Sequence, residues 1–315
     1  MTQLIGRRLL QAIPTMLGVT ILIWLLLSIL PGDPLAGLLP QDATPEDRLE
    51  LEERLGLDDP LAVQYVNWLG DVAQGDFGYS PFRRKDVSAL IGDAWANTLV
   101  LAGVSAVFGL AVGLFSGTLA GVYRGRGVDR AVSAGSMFGV SVPSFWIAIL
   151  MLIVFSAQLK WLPAGGIGNL SEDGLWGYSK YLVMPVIAGS LITVAITARV
   201  TRASIVESYQ ADSVDMLRAK GLSERQVLWH VAKNALAPVL TTSGLQVGYL
   251  LGGSVLIETI FSWPGLGQLV FNAITARDLA VVQATTLVIA MTFVVLNLLV
   301  DILQAVVDPR VKRAV

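Results

Sequence analysis

Six long apolar runs constrain this chain more than any other feature of its sequence. A helix needs about 20 apolar residues to cross the hydrocarbon core of a bilayer, and each run is about that long or longer. Of the 315 residues, 54% are hydrophobic and only 15% are charged, which excludes an ordinary soluble domain. The sequence therefore predicts an all-α polytopic membrane protein. The predicted spans are Leu9–Leu30, Ala96–Val122, Ala131–Leu159, Tyr181–Ala198, Ala237–Ile257 and Val281–Leu303. The third is long and is expected to be tilted, or bent at Pro143.

Basic side chains fall unevenly on the two sides of these spans. Of the 22 Lys and Arg residues, 14 lie on the side that would carry both termini and eight lie on the other. Because Lys and Arg are enriched in cytoplasmic loops, both termini are expected to be cytoplasmic. The first run follows Arg7 and Arg8, is longer than a signal-peptide core and leads into PGDP without a small-residue cleavage site. It is therefore expected to be a retained anchor.

The polar segments between the spans predict one transmembrane domain over residues 1–315. This domain would carry an extracytoplasmic insert at 31–95 and a cytoplasmic loop at 199–236. In the insert, Thr44 precedes Pro45 and Asp47, which predicts a capped helix that runs to Leu55 and stops at Gly56. A further external excursion, residues 258–280, contains a WPGLG turn. Such a partly apolar loop is expected either to dip back between the spans or to reach into a partner.

Neutral polar side chains recur inside the third, fourth and fifth predicted spans. In hydrocarbon these groups need hydrogen-bond partners or water. Two interpretations stay open, namely hydrogen bonds between helices and a hydrated solute path. The candidate pathway residues are Ser141, Ser144, Thr193, Thr197, Thr242, Gln246 and Tyr249.

A glycine stripe marks the second span, where every fourth residue from Gly109 to Gly121 is glycine. Four residues without a side chain on one helix face allow another helix to approach closely. That helix belongs either to the same chain or to a second subunit, and the sequence leaves both options open.

Few groups in the chain suit covalent or ion-coupled chemistry. Cysteine is absent, His230 is the one histidine, and neither HExxH nor GxxxxGK[ST] occurs. Glu258 and Asp301 lie near span ends and are expected to face the membrane interface. A proton or ion relay would need more carboxylates near the midplane. No catalytic, cofactor-binding or metal-binding residue is therefore predicted.

A polar, basic segment from Asp215 to Pro238 separates two apolar runs and reads DMLRAKGLSERQVLWHVAKNALAP. Gly221 tolerates a positive φ, so it predicts a sharp turn after a short helix. Ser223 then predicts the N-cap of a second helix. An ordered, charged hairpin at the surface of a membrane protein predicts a contact with a partner.

This hairpin resembles the cytoplasmic EAA loop of permease subunits in bacterial ATP-binding cassette importers, most closely the dipeptide, oligopeptide and nickel branch. Asp215, Met216 and Leu217 stand where Glu-Ala-Ala is the general pattern, whereas Gly221 is kept. Asp215 preserves the acid, so docking is expected to survive. Other segments agree in order over essentially the whole chain: RRLLQAIPTMLGVT with LPGDP, LGLDDPLAVQYVNWLGDVAQGDFGYS, LKWLPAGG, ETIFSWPGLGQLV and DPRVK.

The resemblance implies the type I importer permease fold, with six transmembrane helices in a prokaryotic plasma (inner) membrane. The implied partners are a second homologous permease subunit, two cytoplasmic ATPase subunits that bind ATP and Mg, and an extracytoplasmic solute-binding protein. Nucleic acid is not expected as a partner, and the chain itself is not expected to be an enzyme. Peptides are the implied cargo, although this branch also moves nickel complexes, glutathione and sugar oligomers.

Two sets of contact residues follow from the resemblance. The implied ATPase-coupling residues are Asp215, Arg218, Ala219, Lys220, Gly221, Glu224 and Arg225. The implied binding-protein contact residues are Glu258, Trp263, Pro264 and Gly265. The main alternative is an ion-coupled secondary transporter that acts without ATPase subunits. An intramembrane enzyme is disfavoured because the catalytic groups are missing.

Overall fold

The computed structural model describes residues 2–29, 44–54 and 56–307. The LPGDP and DPRVK segments lie outside the described residues. The described parts form helices joined by turns and loops, with one small β-hairpin. In chain order the elements are α1 (Thr2–Ile29), α2 (Pro45–Arg54), α3 (Leu61–Ala73), β1 (Tyr79–Ser80), β2 (Lys85–Asp86), α4 (Val87–Val122), α5 (Gly127–Ser141), α6 (Ser144–Met151) continued by a π-helix (Leu152–Gln158), α7 (Leu170–Tyr209), α8 (Asp212–Ala219), α9 (Glu224–Ile260), α10 (Leu266–Ala276) and α11 (Leu279–Val307).

Three described helices are long and apolar enough to cross a membrane, namely α4, α7 and Leu279–Val300 of α11. Two bent pairs raise the number to five if each pair is one crossing. They are Gly127–Ser141 with Ser144–Gln158, and Pro238–Leu250 with Ser254–Ile260. Leu10–Leu25 of α1 is a further apolar helical stretch and falls within the first predicted span. A polytopic helical architecture is thus confirmed, and the number of six crossings stays a prediction.

The third predicted span is broken at Pro143, where the sequence indicated a bend. Helices α5 and α6 meet at an angle of 99°. Val142 is extended (φ −93°, ψ 127°) because the proline ring disfavours helical geometry in the residue before it. Pro143 also lacks an N–H and serves as the N-cap of α6. The predicted span over Ala131–Leu159 therefore consists of two helices that meet at the expected bend.

The chain divides into two compact units. One is built mainly from Leu99–Trp263, and the other from Leu9–Thr98 with Pro264–Val294. The prediction of one domain over the whole chain stays a prediction, and the units are described in turn.

In the first unit, the glycine stripe of α4 packs directly against α7. A Cβ atom built on Gly117 would lie 2.5 Å from the Ala198 carbonyl oxygen, and one on Gly113 would lie 2.7 Å from the Thr197 Cβ. Real Cβ atoms do not approach so closely, so only glycine permits this helix spacing. Of the two options left open by the sequence, the described structure shows packing within the chain.

In the second unit, α10 forms a core with the first turns of α4 and of α11. Its buried residues pack with Val87, Ile91 and Ala94 of α4 and with Val281 of α11. One expectation is corrected here: the excursion 258–280 contains helix α10 rather than only a loop, because its buried residues recur at helical spacing. Helix α4 begins at Val87, inside the segment 31–95 assigned to the insert, and that assignment stays a prediction.

The insert contains the capped helix that the sequence predicted, α2, and a second helix, α3. The predicted last residue of the capped helix, Leu55, lies outside the described residues. Thr44 donates its backbone N–H to the Asp47 carboxylate at 2.8 Å, which closes the first turn of α2 and holds the pKa of that carboxyl below its usual value. Helix α3 packs on α1 in the same unit. The Tyr65 hydroxyl lies 2.8 Å from the Thr20 hydroxyl, and the Trp24 and Trp68 rings are 5.5 Å apart. These contacts attach α3 to a neighbouring helix rather than to a core of its own.

Candidate functional site

Helix α8 and the start of α9 form a tight hairpin around Gly221. Gly221 has φ +78°, a conformation that favours glycine. Its N–H donates to the Arg218 carbonyl at 2.9 Å, and the Leu222 N–H donates to the Leu217 carbonyl at 3.3 Å. These two bonds are the Schellman pattern that ends a helix. The predicted short helix and glycine turn are confirmed.

Ser223 begins the second helix of the hairpin, as the sequence predicted. The Gln226 side-chain oxygen accepts hydrogen bonds from the Ser223 N–H at 2.9 Å and from its hydroxyl at 3.0 Å. A residue at the third helical position thus reaches back to the N-cap residue. The turn is therefore specified on both sides of Gly221.

A small apolar cluster attaches the hairpin to the long helices. Val214 of α8 is 2% exposed and packs with Ile205 of α7 and with Val227, Val231 and Ala235 of α9. Leu217 and Leu222 pack against the same cluster. Burying a valine side chain is worth about 1.5–3 kcal/mol, so α8 is held to α7 and α9 rather than tethered loosely.

The outer face of the hairpin is polar and open. The seven residues predicted to meet an ATPase are all exposed: Asp215, Arg218, Ala219, Lys220, Gly221, Glu224 and Arg225. Arg218 Nε donates to Glu224 Oε1 at 2.9 Å, and Arg218 Nη1 lies 3.8 Å from Asp215 Oδ1. The hydrogen bond from Arg218 lowers the pKa of Glu224, and the same bond raises the pKa of Arg218. The structure therefore brings the predicted coupling residues onto one small charged surface.

An ion pair joins α5 to α7 near the C-terminal end of α7, the end that leads into the hairpin. Arg202 Nε bonds Asp129 Oδ1, and Arg202 Nη2 donates to Asp129 Oδ2 at 2.9 Å. The Gly125 N–H donates to the same carboxylate at 2.9 Å. A two-pronged Arg–carboxylate contact is directional and strong, so α5 is fixed to α7 at this point.

A cavity of about 80 Å³ in the first unit collects several of the predicted pathway residues. Four of them line it, namely Ser144, Thr193, Gln246 and Tyr249. The remaining wall is mostly aliphatic, which suits weak contact with a passing solute. Among the residues that the structure describes, no group of three or more His, Asp or Glu side chains is arranged to hold a metal ion.

Three predicted pathway residues do not line this cavity. Thr197 is 1% exposed and lies against Gly113, where it packs α7 on α4. Ser141 is exposed at the end of α5, and Thr242 is half-buried. The sequence reasoning missed Ser105 and Ser254, which do line the cavity. Ser105 is the only hydroxyl between Thr98 and Ser116, so a lone polar residue was the available signal.

The predicted binding-protein contact residues are largely enclosed. Glu258 and Trp263 are both 0% exposed, and Gly265 is also buried. The Trp263 ring packs edge-on against Tyr178 at 6.3 Å. The expectation that Glu258 faces the membrane interface is wrong, because the carboxylate is enclosed by protein. Only Pro264 of the four is partly exposed, so a partner contact at this segment stays a prediction.

Two protein-family models match the sequence. The binding-protein-dependent transport system inner membrane component matches residues 109–313, and the N-terminal region of the corresponding membrane component matches residues 1–102. Together the two matched regions cover nearly the whole chain.

Individual relatives agree with this match. The dipeptide transport system permease protein DppB of Alkalihalophilus pseudofirmus is 39% identical over 97% of this chain and 98% of its own length. The oligopeptide transport system permease protein AppB of Bacillus subtilis is 38% identical over 99% of this chain and 100% of its own. The di/tripeptide transport system permease protein DppB of Pseudomonas aeruginosa is also 38% identical, over 99% of each.

A solved structure shares the fold. A chain of the MetNI methionine ABC transporter, in an inward-facing conformation, superposes with a TM-score of 0.57 at 20% identity. The superposition covers 70% of this chain and 96% of that one. At this identity the similarity concerns the fold alone.

Proposed function

The chain belongs to the binding-protein-dependent inner membrane components, the permease subunits of ATP-binding cassette importers, and on that basis we propose that it carries peptides inward. It would form half of the solute pathway, with a second homologous permease forming the other half. An extracytoplasmic binding protein would deliver the peptide. Two cytoplasmic ATPase subunits would bind ATP and Mg and supply the energy. Family membership supports this function over an ion-coupled transporter acting alone.

The observation that carries the proposal is the geometry of the α8–α9 hairpin. Its charged face is open, while its inner face is held to α7 and α9 by Val214. A contact of this kind would transmit movement of the ATPase subunits, because the hairpin is packed against the long helices and would move with them. The Asp129–Arg202 pair extends the rigid connection from α7 to α5. Closure of the ATPases would thus change the packing of the helices around the pathway.

The pathway itself is proposed to include Ser144, Thr193, Gln246 and Tyr249. Their hydroxyl and amide groups give hydrogen bonds without net charge, which allows a peptide to pass without being held tightly.

We also propose six crossings of the inner membrane with both termini in the cytoplasm, since 14 of the 22 basic residues lie on that side. Single cysteines at Ser223 and Asp76 should then react with impermeant reagents from opposite faces. Labelling of both from one face would contradict this topology.

Charge reversal on the hairpin tests the coupling. In the reconstituted complex, Arg218→Glu with Lys220→Glu should lower ATP-dependent peptide uptake by about tenfold or more, because two interface charges are inverted. Amounts of the chain in the membrane should be unchanged, since both side chains are exposed. The matched control is Arg124→Glu with Arg130→Glu, the same change at exposed positions in the α4–α5 turn and the first turn of α5. Normal uptake by the hairpin variant, or uptake by the isolated chain without ATPases, would refute the proposal.

A further inference from the structure

A polar cleft of about 200 Å³ lies in the second unit, between the β-hairpin turn, the start of α4 and α10. Five of its lining residues carry groups that form strong hydrogen bonds. They are Arg83, Asp93, Asn97, Gln268 and Asn272. Asn97 donates to the Pro264 carbonyl at 2.9 Å, which fixes the start of α10 against α4. Under the proposed topology this cleft opens on the outer side of the membrane.

The two charged residues of the cleft have opposite signs but do not pair. Among the described residues, neither the Arg83 guanidinium nor the Asp93 carboxylate takes part in a hydrogen bond or an ion pair, and both are exposed. A single exposed charge is ordinary. A cation and an anion that line one concave space without neutralising each other are complementary to a ligand that also carries both charges.

The amides restrict the kind of ligand further. Asn and Gln side chains each offer a donor and an acceptor, which matches the N–H and C=O of a peptide backbone. A cleft of 200 Å³ is smaller than the roughly 300–1,000 Å³ of a complete small-ligand pocket. It has the volume of roughly seven water molecules, so it accommodates two or three small residues and not a long cargo.

We propose that this cleft is an entry site for the zwitterionic ends of short peptides. Asp93 receives the terminal ammonium, Arg83 receives the terminal carboxylate, and the amides bond the backbone between or beside them. The inference rests on the proposed peptide function and adds a recognition step made by the permease itself. Pro264 and Gly265 also line the cleft. A passing peptide would therefore meet the segment that the sequence assigned to a partner contact.

Terminus-blocked peptides test this assignment. The full complex with its binding protein is reconstituted in liposomes, and uptake is compared for trialanine, N-acetyl-trialanine and trialanine amide. The affinity of the binding protein for each peptide is measured separately, so that its own selectivity can be divided out. The variants are Asp93→Asn and Arg83→Gln. The matched controls are Asp86→Asn and Arg84→Gln, which change exposed residues close by that do not line the cleft.

Each variant should lose one kind of discrimination. Asp93→Asn should reduce the preference for trialanine over N-acetyl-trialanine by about tenfold, because losing one charge-assisted hydrogen bond in an open site changes affinity by about that factor. The preference for trialanine over trialanine amide should not change. Arg83→Gln should do the reverse, and the two controls should change neither ratio.

Three results would overturn the inference. The first is unchanged ratios in both variants. The second is an equal loss of uptake for all three peptides together with weaker binding-protein affinity for the complex, which would make the cleft a protein-docking surface. The third is an unaltered complex that takes up no trialanine, which would overturn the peptide assignment itself before any variant is compared.

Discussion

Two short segments were predicted from the sequence to meet partner proteins, and the structure treats them in opposite ways. The hairpin from Asp215 to Arg225 displays every residue that was assigned to the contact. In the segment from Glu258 to Gly265, the side chains of Glu258 and Trp263 are completely buried. Both segments connect apolar helices, and both turn at a residue with a positive φ, Gly221 in the hairpin and Ser262 in the other segment. The difference lies in what surrounds the turn.

The hairpin has few apolar side chains to bury, and Val214, Leu217 and Leu222 suffice to attach it. Its remaining positions are mostly charged or small, so burying them would gain little and they stay in contact with water. The other segment carries large apolar groups, including Phe261 and Trp263, and an aromatic residue removes about 150–250 Å² from water when it is buried. Local hydrophobicity therefore decides whether a turn between helices becomes a surface or part of a core.

Truncating the buried tryptophan should give the largest effect. Trp263→Ala is expected to destabilise the chain by about 3–5 kcal/mol, since it leaves a large cavity in the cluster that contains Phe261 and Ile257. Thermal unfolding of the purified protein in detergent measures this effect. Trp229→Ala is the control, because Trp229 is 70% exposed and lies on the hairpin side of α9. Equal losses in both variants would erase the distinction between the two segments.

A methyl group added to the glycine stripe should have an intermediate effect. Gly117→Ala is expected to cost about 1–3 kcal/mol, because the new Cβ would lie 2.5 Å from the Ala198 carbonyl and α4 would have to move away from α7. Gly103→Ala in the same helix meets nothing within 4 Å and should be neutral or slightly stabilising. The two unfolding midpoints distinguish close packing from simple helix propensity. Equal midpoints would argue against a contact that depends on glycine.

The sequence predicted those features that depend on local chemistry. Length and apolarity suffice to predict membrane helices, the proline ring predicts the break at Pro143, and the spacing around Gly221 and Ser223 predicts the hairpin. These properties need no knowledge of distant residues. For the same reason, the three-residue spacing of Gln246 and Tyr249 puts both on one face of α9, where they line the cavity.

Features that depend on packing between distant segments were not predicted. Ser105 and Ser254 join the cavity only because α4 and α9 come together in the first unit. Glu258 was predicted to face the membrane interface because its position near a span end was the only sequence signal. Its burial is decided by side chains that pack around it and not by its neighbours in sequence. The helix α10 was missed because an apolar stretch of 11 residues is too short to be recognised as a span. Its core partners lie on α4 and α11.

A strained turn should affect transport more than stability. Gly221→Ala forces a Cβ into a left-handed conformation that costs about 1–2 kcal/mol, although nothing lies within 4 Å of the new atom. We expect a small fall in the unfolding midpoint and a several-fold fall in ATP-dependent uptake, because α8 would change its direction relative to α9. Gly135→Ala is the control, since Gly135 also has open space but lacks a positive φ. A normal transport rate in Gly221→Ala would show that the angle of the hairpin is unimportant.

The smallest effect concerns the ion pair on the hairpin surface. Because Arg218 holds the pKa of Glu224 below its usual 4.5, the pair contributes most above that pH and is lost as the pH falls through the lowered value. NMR titration of labelled glutamate carboxyls should place the pKa of Glu224 closer to 4.5 in Arg218→Gln than in the unaltered protein. The unfolding midpoint at neutral pH should not change measurably, since exposed ion pairs are weakened by solvent. A large change in the midpoint would mean that the hairpin surface supports the fold, and the contrast with the buried Glu258–Gly265 segment would then be one of degree.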